Sequence, residues 1–311
     1  MSPVWRSCLI LLALLVPLAL ASLLLGVADL GAQVFALSRL PRTLAVLLTG
    51  AALAIAGVVM QQLVRNRFVE PGTTGTAEGA ALGLLAITLW APGAALWLKM
   101  VVASLSAMAA TALFLRLIRN LPPREVLLVP LVGIVFSGVL GALVTFIGWQ
   151  TDLLQMIGIW LMTGEFSGVI AGRYELLWIA GGAAALAWAA ADRFAILSLG
   201  REAAIGLGLS PDAVMRLGLV VVSVTMALVI VTVGMIPFVG LVVPNIVSRL
   251  LGDNLRATLP VTALAGAALV LACDILARLI RYPYEMPVGT VLGVLGSGLF
   301  LWLLHRGPAR G

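Results

Sequence analysis

Long apolar runs alternate with short polar breaks along the whole chain. Runs of helical length recur at about residues 8–28, 44–64, 74–91, 94–118, 126–148, 175–191, 213–234, 236–251, 258–280 and 286–305. The first, CLILLALLVPLALASLLLGVA, holds no charge. As a helix it would extend about 31 Å, the depth of a bilayer's hydrocarbon core. Arg6 precedes it, as in a secretory signal, but signal cores are only about 7–15 residues long, so the run reads as a retained first helix. The pattern predicts ten membrane-spanning helices. The eighth is short and interrupted by Pro237 and Pro244. Between the fifth and sixth lies LLQMIGIWLMTG, too short to cross, which reads as a half-helix or interfacial helix.

Composition points the same way. Hydrophobic residues make up 62% of the chain and charged residues 10%, against about 25% charged in a soluble domain. So few charges cannot cover a surface that faces water, whereas a bilayer requires an apolar exterior. The expected fold is an all-α polytopic membrane bundle, residues 1–311 forming one transmembrane domain. Gly50 and Gly57 in the second run, Gly133, Gly138 and Gly141 in the fifth, and Gly289, Gly293, Gly296 and Gly298 in the tenth predict close helix packing in lipid.

Charge sets an orientation. With the N-terminus inside, inner segments hold Arg6, Arg65, Arg67, Arg116, Arg119, Arg124, Arg193, Arg201, Arg216, Arg249, Arg256, Arg306 and Arg310, thirteen of the nineteen basic residues. Outer segments hold Arg39, Arg42, Lys99, Arg173, Arg278 and Arg281. That asymmetry predicts both termini in the cytoplasm. The arginines are spread over several loops, so nucleic acid is not an expected partner despite the basic balance.

Candidate chemistry is sparse. There is no HExxH, GxSxG or paired-aspartate metal motif. Lys99 is the only lysine and lacks the glycine spacing of a nucleotide-binding loop, so any ATP chemistry belongs to another chain. One His and two distant Cys argue against a dedicated metal site, and no cofactor is expected. Cys8 and Cys273 read as small core residues, and His305 as an interface residue. Glu78 falls in the first turns of the third helix, where a carboxylate suits the helix dipole. Asp274 precedes Arg278 by four residues, the spacing of a helix ion pair. The scarcity of buried acids argues against an ion-coupled secondary transporter.

Two polar segments stand out. DRFAILSLGREAAIGLGLSPDAVMR, residues 192–216, predicts two short amphipathic helices separated by Gly206 and Gly208, then a helix start at Ser210-Pro211-Asp212. QQLVRNRFVEPGTTGTAEG, residues 61–79, faintly suggests a phosphate loop, but no lysine follows. It reads as an inner turn in which Pro71 and Gly72 reverse the chain and the threonines cap the third helix.

These segments carry a resemblance. SRLPRTLAVLLTGAALAIAGVVMQQLVRNRFVEPGTTGTAEGAALG, WLMTGEFSG, GREAAIGLGLSP, MIPFVGLVVPNIVSRLLGDNLRATLP, DILARLI and YEMPVGTVLGVLGSGLFLWLL resemble, in order, the FecCD-type (BtuC-like) permeases of type II ABC importers for iron–siderophore complexes, haem and vitamin B12. The resemblance implies ten helices per subunit and a second permease subunit, identical or paralogous. It also implies two ATP-binding subunits and a periplasmic or lipoprotein binding protein. It assigns binding-protein docking to Arg39, Arg42 and Arg278, whose bland alternative is interfacial snorkelling or, for Arg278, pairing with Asp274. It assigns ATPase coupling to Glu202, Ala203, Ala204, Gly206 and Gly208. Pro237, Phe238, Gly240, Pro244 and Asn245 match the family's broken segment beside the pathway. Many members have His where this chain has Asn245, and Arg67-Phe68 replaces Pro-Leu after Asn66. PNIVSRLLGDN looks more like the branch importing catecholate siderophores. The expected function is a permease for a ferric siderophore in a bacterial cytoplasmic membrane, with a haem or B12 permease of the same fold as the alternative.

Overall fold

The computed structural model describes residues 3–26, 31–119, 121, 128–162 and 164–305. Arg124, Arg306 and Arg310, used above for orientation, lie outside the described residues, as does Thr163 of WLMTGEFSG. Among the described residues there is no strand, and the helices of six residues or more number thirteen. They are α1 (Pro3–Leu24), α2 (Leu40–Val64), α3 (Thr76–Trp90), α4 (Leu96–Ile118), α5 (Leu128–Gln150), α6 (Leu154–Met162), α7 (Leu177–Ala189), α8 (Ala191–Ser198), α9 (Arg201–Gly206), α10 (Pro211–Val233), α11 (Val239–Leu251), α12 (Leu255–Leu279) and α13 (Val288–His305).

Each apolar run became a helix, and the short LLQMIGIWLMTG segment became α6. Six helices are long and apolar enough to cross a membrane, counting the turn Ala32–Val34 and the π-helical Phe35–Arg39 as the start of α2. α7 and α8 form a seventh, bent by 62°. Three shorter apolar helices, α3, α11 and most of α13, complete the set of ten.

α2 is the centre of the bundle. It is apolar all round and buried along almost its whole length, as a helix with no polar face must be. Glycine lets neighbouring backbones touch it. A methyl group at Gly50 would collide with the Gly266 carbonyl on α12, and one at Gly57 with the Gly240 carbonyl on α11. No side-chain layer separates the helices at these crossings, the close approach that small residues allow in lipid. The outer helices show the opposite pattern. α1, α4 and α5 expose rows of Leu, Val and Ile outward, including Leu9, Leu105, Leu113, Ile134 and Val139, because lipid is an apolar solvent for them. Cys8 and Cys273 are both free thiols, half-buried and buried.

Two local expectations are corrected. The threonines do not cap α3. Gly75 stands at the N-cap with φ +77°, and no side chain caps the helix there. The Thr73 and Thr74 hydroxyls instead donate back to the Glu70 and Pro71 carbonyls, at 3.1 and 3.0 Å, closing a short 3-10 turn over Pro71–Thr73. In residues 192–216 the two short helices, α8 and α9, are separated at Gly200 (φ +120°), which only glycine adopts without strain. Gly206 ends α9, and Gly208 (φ +78°) turns the chain into α10, which begins at Pro211 as the sequence signal indicates.

Candidate functional site

Three constellations gather the residues singled out in the sequence. The first is a corner where α1 ends against α2 and α12. A helix end leaves carbonyls without partners and favours a cation. Here two guanidinium groups supply the donors. Arg39 Nη1 donates to Leu23 O at 3.0 Å and Leu24 O at 2.8 Å. Arg278 Nη1 donates to Ser22 O at 3.0 Å and Leu25 O at 3.3 Å, and Nη2 to Ser22 Oγ at 2.6 Å. Arg278 also pairs with Asp274, as the spacing predicted. The other Asp274 oxygen accepts from Arg42 Nη2 at 2.8 Å, and Arg42 Nη1 reaches Glu285 at 2.8 Å.

The expectation of three outward arginines therefore needs correcting in its geometry. Arg39 and Arg278 are buried, turned inward onto α1, and Arg42 keeps only 11% of its side chain accessible. Neither snorkelling nor free display describes them. Asp274 is fully buried and shared by two guanidiniums, an arrangement in which each charge is paired and hydrogen-bonded. Sequence spacing could find Arg278 but not Arg42, which lies 232 positions from Asp274.

The second constellation is the break between α10 and α11. α10 stops at Gly234 (φ +79°), and α11 starts after Phe238, held in the left-handed region at φ +68°. Pro237 lies in the break, and Pro244 is buried inside α11. The break leaves backbone donors that an apolar bundle cannot satisfy. Glu70, from the α2–α3 connection, meets this need: its Oε1 accepts the Phe238 N–H at 3.1 Å. Burial pushes the Glu70 carboxyl up to about 7. Gln61 Nε2 donates to the Gly240 carbonyl at 3.2 Å. Asn245 Nδ2 donates to Leu241 O at 2.7 Å and Arg67 O at 2.8 Å. The phenyl group of Phe238 sits against Gly296 of α13, where any larger residue would displace it.

The two residues that depart from the family's loop pattern join the same seam. Arg67 pairs with Asp253 at 2.6 Å and donates to Ser248 Oγ at 3.1 Å. Phe68 meets Phe300 edge-on, with centroids 6.2 Å apart. Glu70 was not singled out from the sequence for this task. Its only local signal was an acid beside Pro-Gly, and its partner lies 168 residues away. Glu78 does stand in the first turn of α3, where its Oε1 accepts from Ser137 Oγ on α5 at 2.7 Å.

The third constellation is the turn through α8, α9 and the start of α10. Ala204 is fully buried and anchors α9, Ala203 is half-buried, and Glu202, Gly206 and Gly208 are exposed. Arg201 donates two bonds to Asp212, at 2.8 and 2.9 Å, which clasps α9 to α10. Beside Glu202 stand Leu199, Ile205 and Leu207, all more than half exposed. Exposed apolar side chains around a fixed small-residue helix make a surface suited to another protein, and the sequence reading had not picked them out.

Comparison with known proteins covers nearly the whole bundle. The sequence model of the FecCD transport family matches residues 5–306. The petrobactin import system permease YclN of Bacillus subtilis is 41% identical over 310 residues, 96% of this chain and 98% of that protein. The ferric-anguibactin transport system permease FatD of Vibrio anguillarum is 42% identical over 270 residues, 87% and 86% of the two chains. A solved inward-facing conformation of an ABC transporter, described as of metal-chelate type, superposes with a TM-score of 0.82 at 28% identity and covers 97% of this chain and 99% of that one. A helical bundle with a capped break, a glycine-seated central helix and this degree of similarity along its length is a transport subunit, not an enzyme, and the chain belongs to the FecCD transport family.

Proposed function

We propose that this permease carries a ferric siderophore, of the catecholate type, inward across a bacterial cytoplasmic membrane. The observation that carries the reading is the similarity, at 41% and 42% identity, to permeases named for petrobactin and ferric-anguibactin import. The resemblance of PNIVSRLLGDN to the catecholate branch supports the finer choice. ATP hydrolysis on two separate subunits drives the cycle, entering through Glu202, Ala203, Ala204, Gly206 and Gly208. A second permease subunit, identical or paralogous, completes the pathway. Both termini face the cytoplasm, as the distribution of arginines favours.

A substrate-binding protein docks at the opposite end. Arg42 and Glu285 offer the accessible edge there, and Arg39 and Arg278 hold the corner in shape. The break around Pro237, Phe238, Gly240, Pro244 and Asn245 is where the bundle flexes between its two packings. In this scheme the chain forms no bond with its cargo, and weak contacts permit release.

The test is uptake into vesicles by the permease purified with its neighbours. A ferric catecholate chelate should enter with ATP and without a proton gradient. Uptake of haem or cobalamin in its place would reassign the cargo within the family, and uptake on a proton gradient without ATP would overturn the mechanism.

A further inference from the structure

A groove of about 940 Å³ opens where the ends of α2 and α4 meet the start of α10. Leu115, Ile118 and Met215 form its apolar wall, and Arg65, Arg116 and Arg119 stand at its rim. All three arginines are exposed, and none makes an ion pair among the described residues. Arg201, which also lines the groove, is by contrast occupied by Asp212. Arg65 caps α2 in the left-handed region (φ 52°), and its Nη1 lies 3.5 Å from where a Cβ on Gly200 would stand. The groove thus pairs an apolar interior with three guanidinium groups that no ion pair holds among the described residues; Asp212, which also lines it, feels the charge of Arg119 but spends both carboxylate oxygens on Arg201. Leu113, one turn before Arg116, and Leu117, one turn on from Leu113, are both half exposed and give the end of α4 an apolar outer strip.

We infer that this groove binds an anionic phospholipid, with its phosphate among Arg65, Arg116 and Arg119 and one acyl chain along Leu115, Ile118 and the outer face of α4. An amphiphile satisfies both halves of the site at once. A charged protein segment would cover the rim but leave the apolar strip to the bilayer. Basic pockets beside membrane helices hold acidic headgroups through such charges. On the orientation proposed above, the lipid comes from the inner leaflet. Because Arg65 abuts the Gly200 turn, the bound headgroup touches the same connection that positions α9.

The experiment uses the full-length permease with its copurifying subunits in an equimolar mixture of phosphatidylglycerol and phosphatidylcholine, with retained lipid counted by native mass spectrometry. The wild type should retain phosphatidylglycerol preferentially. Arg116→Gln and Arg119→Gln should each cut that preference about fivefold, the effect of one basic residue at an anionic surface. Met215→Trp, which fills the groove without changing charge, should lower it as well. Arg173→Gln, exposed but away from the groove, should leave it unchanged. Equal retention of the two lipids by the wild type would overturn the inference. So would unchanged preference in folded Arg116, Arg119 or Met215 variants. Loss of a copurifying ATPase with lipid retention intact would assign the groove to a protein partner instead.

Discussion

The Glu70 carboxylate accepts the Phe238 backbone N–H at 3.1 Å, joining the α2–α3 connection to the start of α11 across 168 positions of chain. Without it, a broken helix would present an unsatisfied donor inside an apolar bundle. Glu70→Ala should therefore destabilise the fold by about 1–3 kcal/mol, the desolvation cost of an orphaned buried group. Thermal unfolding in detergent measures this.

The same carboxyl gives a pH signature. Its folded value is about 7, against an ordinary value of 4.5. Between those values the folded chain holds a proton that the unfolded chain has released, so stability falls as pH rises through that window. The melting temperature of the wild type should drop from pH about 5 to about 8, and Glu70→Gln, which keeps an acceptor without a titrating charge, should flatten the profile. A profile of equal slope in both proteins would contradict this.

Gly57 and Gly240 bring α2 and α11 into backbone contact. Gly57→Leu forces the helices apart, and overpacking of this kind costs about 1–3 kcal/mol or more. The expected result is a lowered melting temperature. Gly182, with open space around its Cβ position, should accept alanine without such a loss.

Asp274 serves Arg42 and Arg278 at once. Asp274→Asn leaves the buried Arg278 without its counter-charge and Arg42 with Glu285 alone, and loss of one partner from a buried pair costs about 3–5 kcal/mol. The corner holding α1 to α12 should loosen, with faster proteolysis near residues 22–43 as the readout.

Glu202→Arg on exposed α9 should impair ATP-driven uptake while leaving the melting temperature unchanged, since the side chain is exposed and in no ion pair among the described residues. Ile205→Asp, on the same exposed surface, should weaken copurification of the ATPase. Normal uptake by both variants would remove the coupling role from this turn.

The helices were legible because their periodic apolar content is a local property. So were the Asp274–Arg278 pair, four residues apart, and the helix start at Pro211. What escaped were contacts between residues far apart in sequence. Arg42 meets Asp274, Arg67 meets Asp253 and Glu70 meets Phe238 only because three helices converge. The arginines looked outward in the sequence because they flanked spans. They turned inward because the end of α1 supplied carbonyls that needed donors. The threonines looked like a cap for α3, but with Gly75 in the left-handed region at the N-cap their hydroxyls found closer acceptors in the preceding turn.

Where Gly50 meets Gly266 and Gly57 meets Gly240, main chain rests on main chain. Side chains can change rotamer and absorb a displacement, whereas bare peptide backbone cannot. The three helices joined at those two points therefore form a stiff frame: a push delivered at one end of α2 reaches α11 and α12 undamped. Gating then falls to the break that precedes α11 and to elements hung on that frame, such as α5 and α13, and not to slippage at the two glycine crossings.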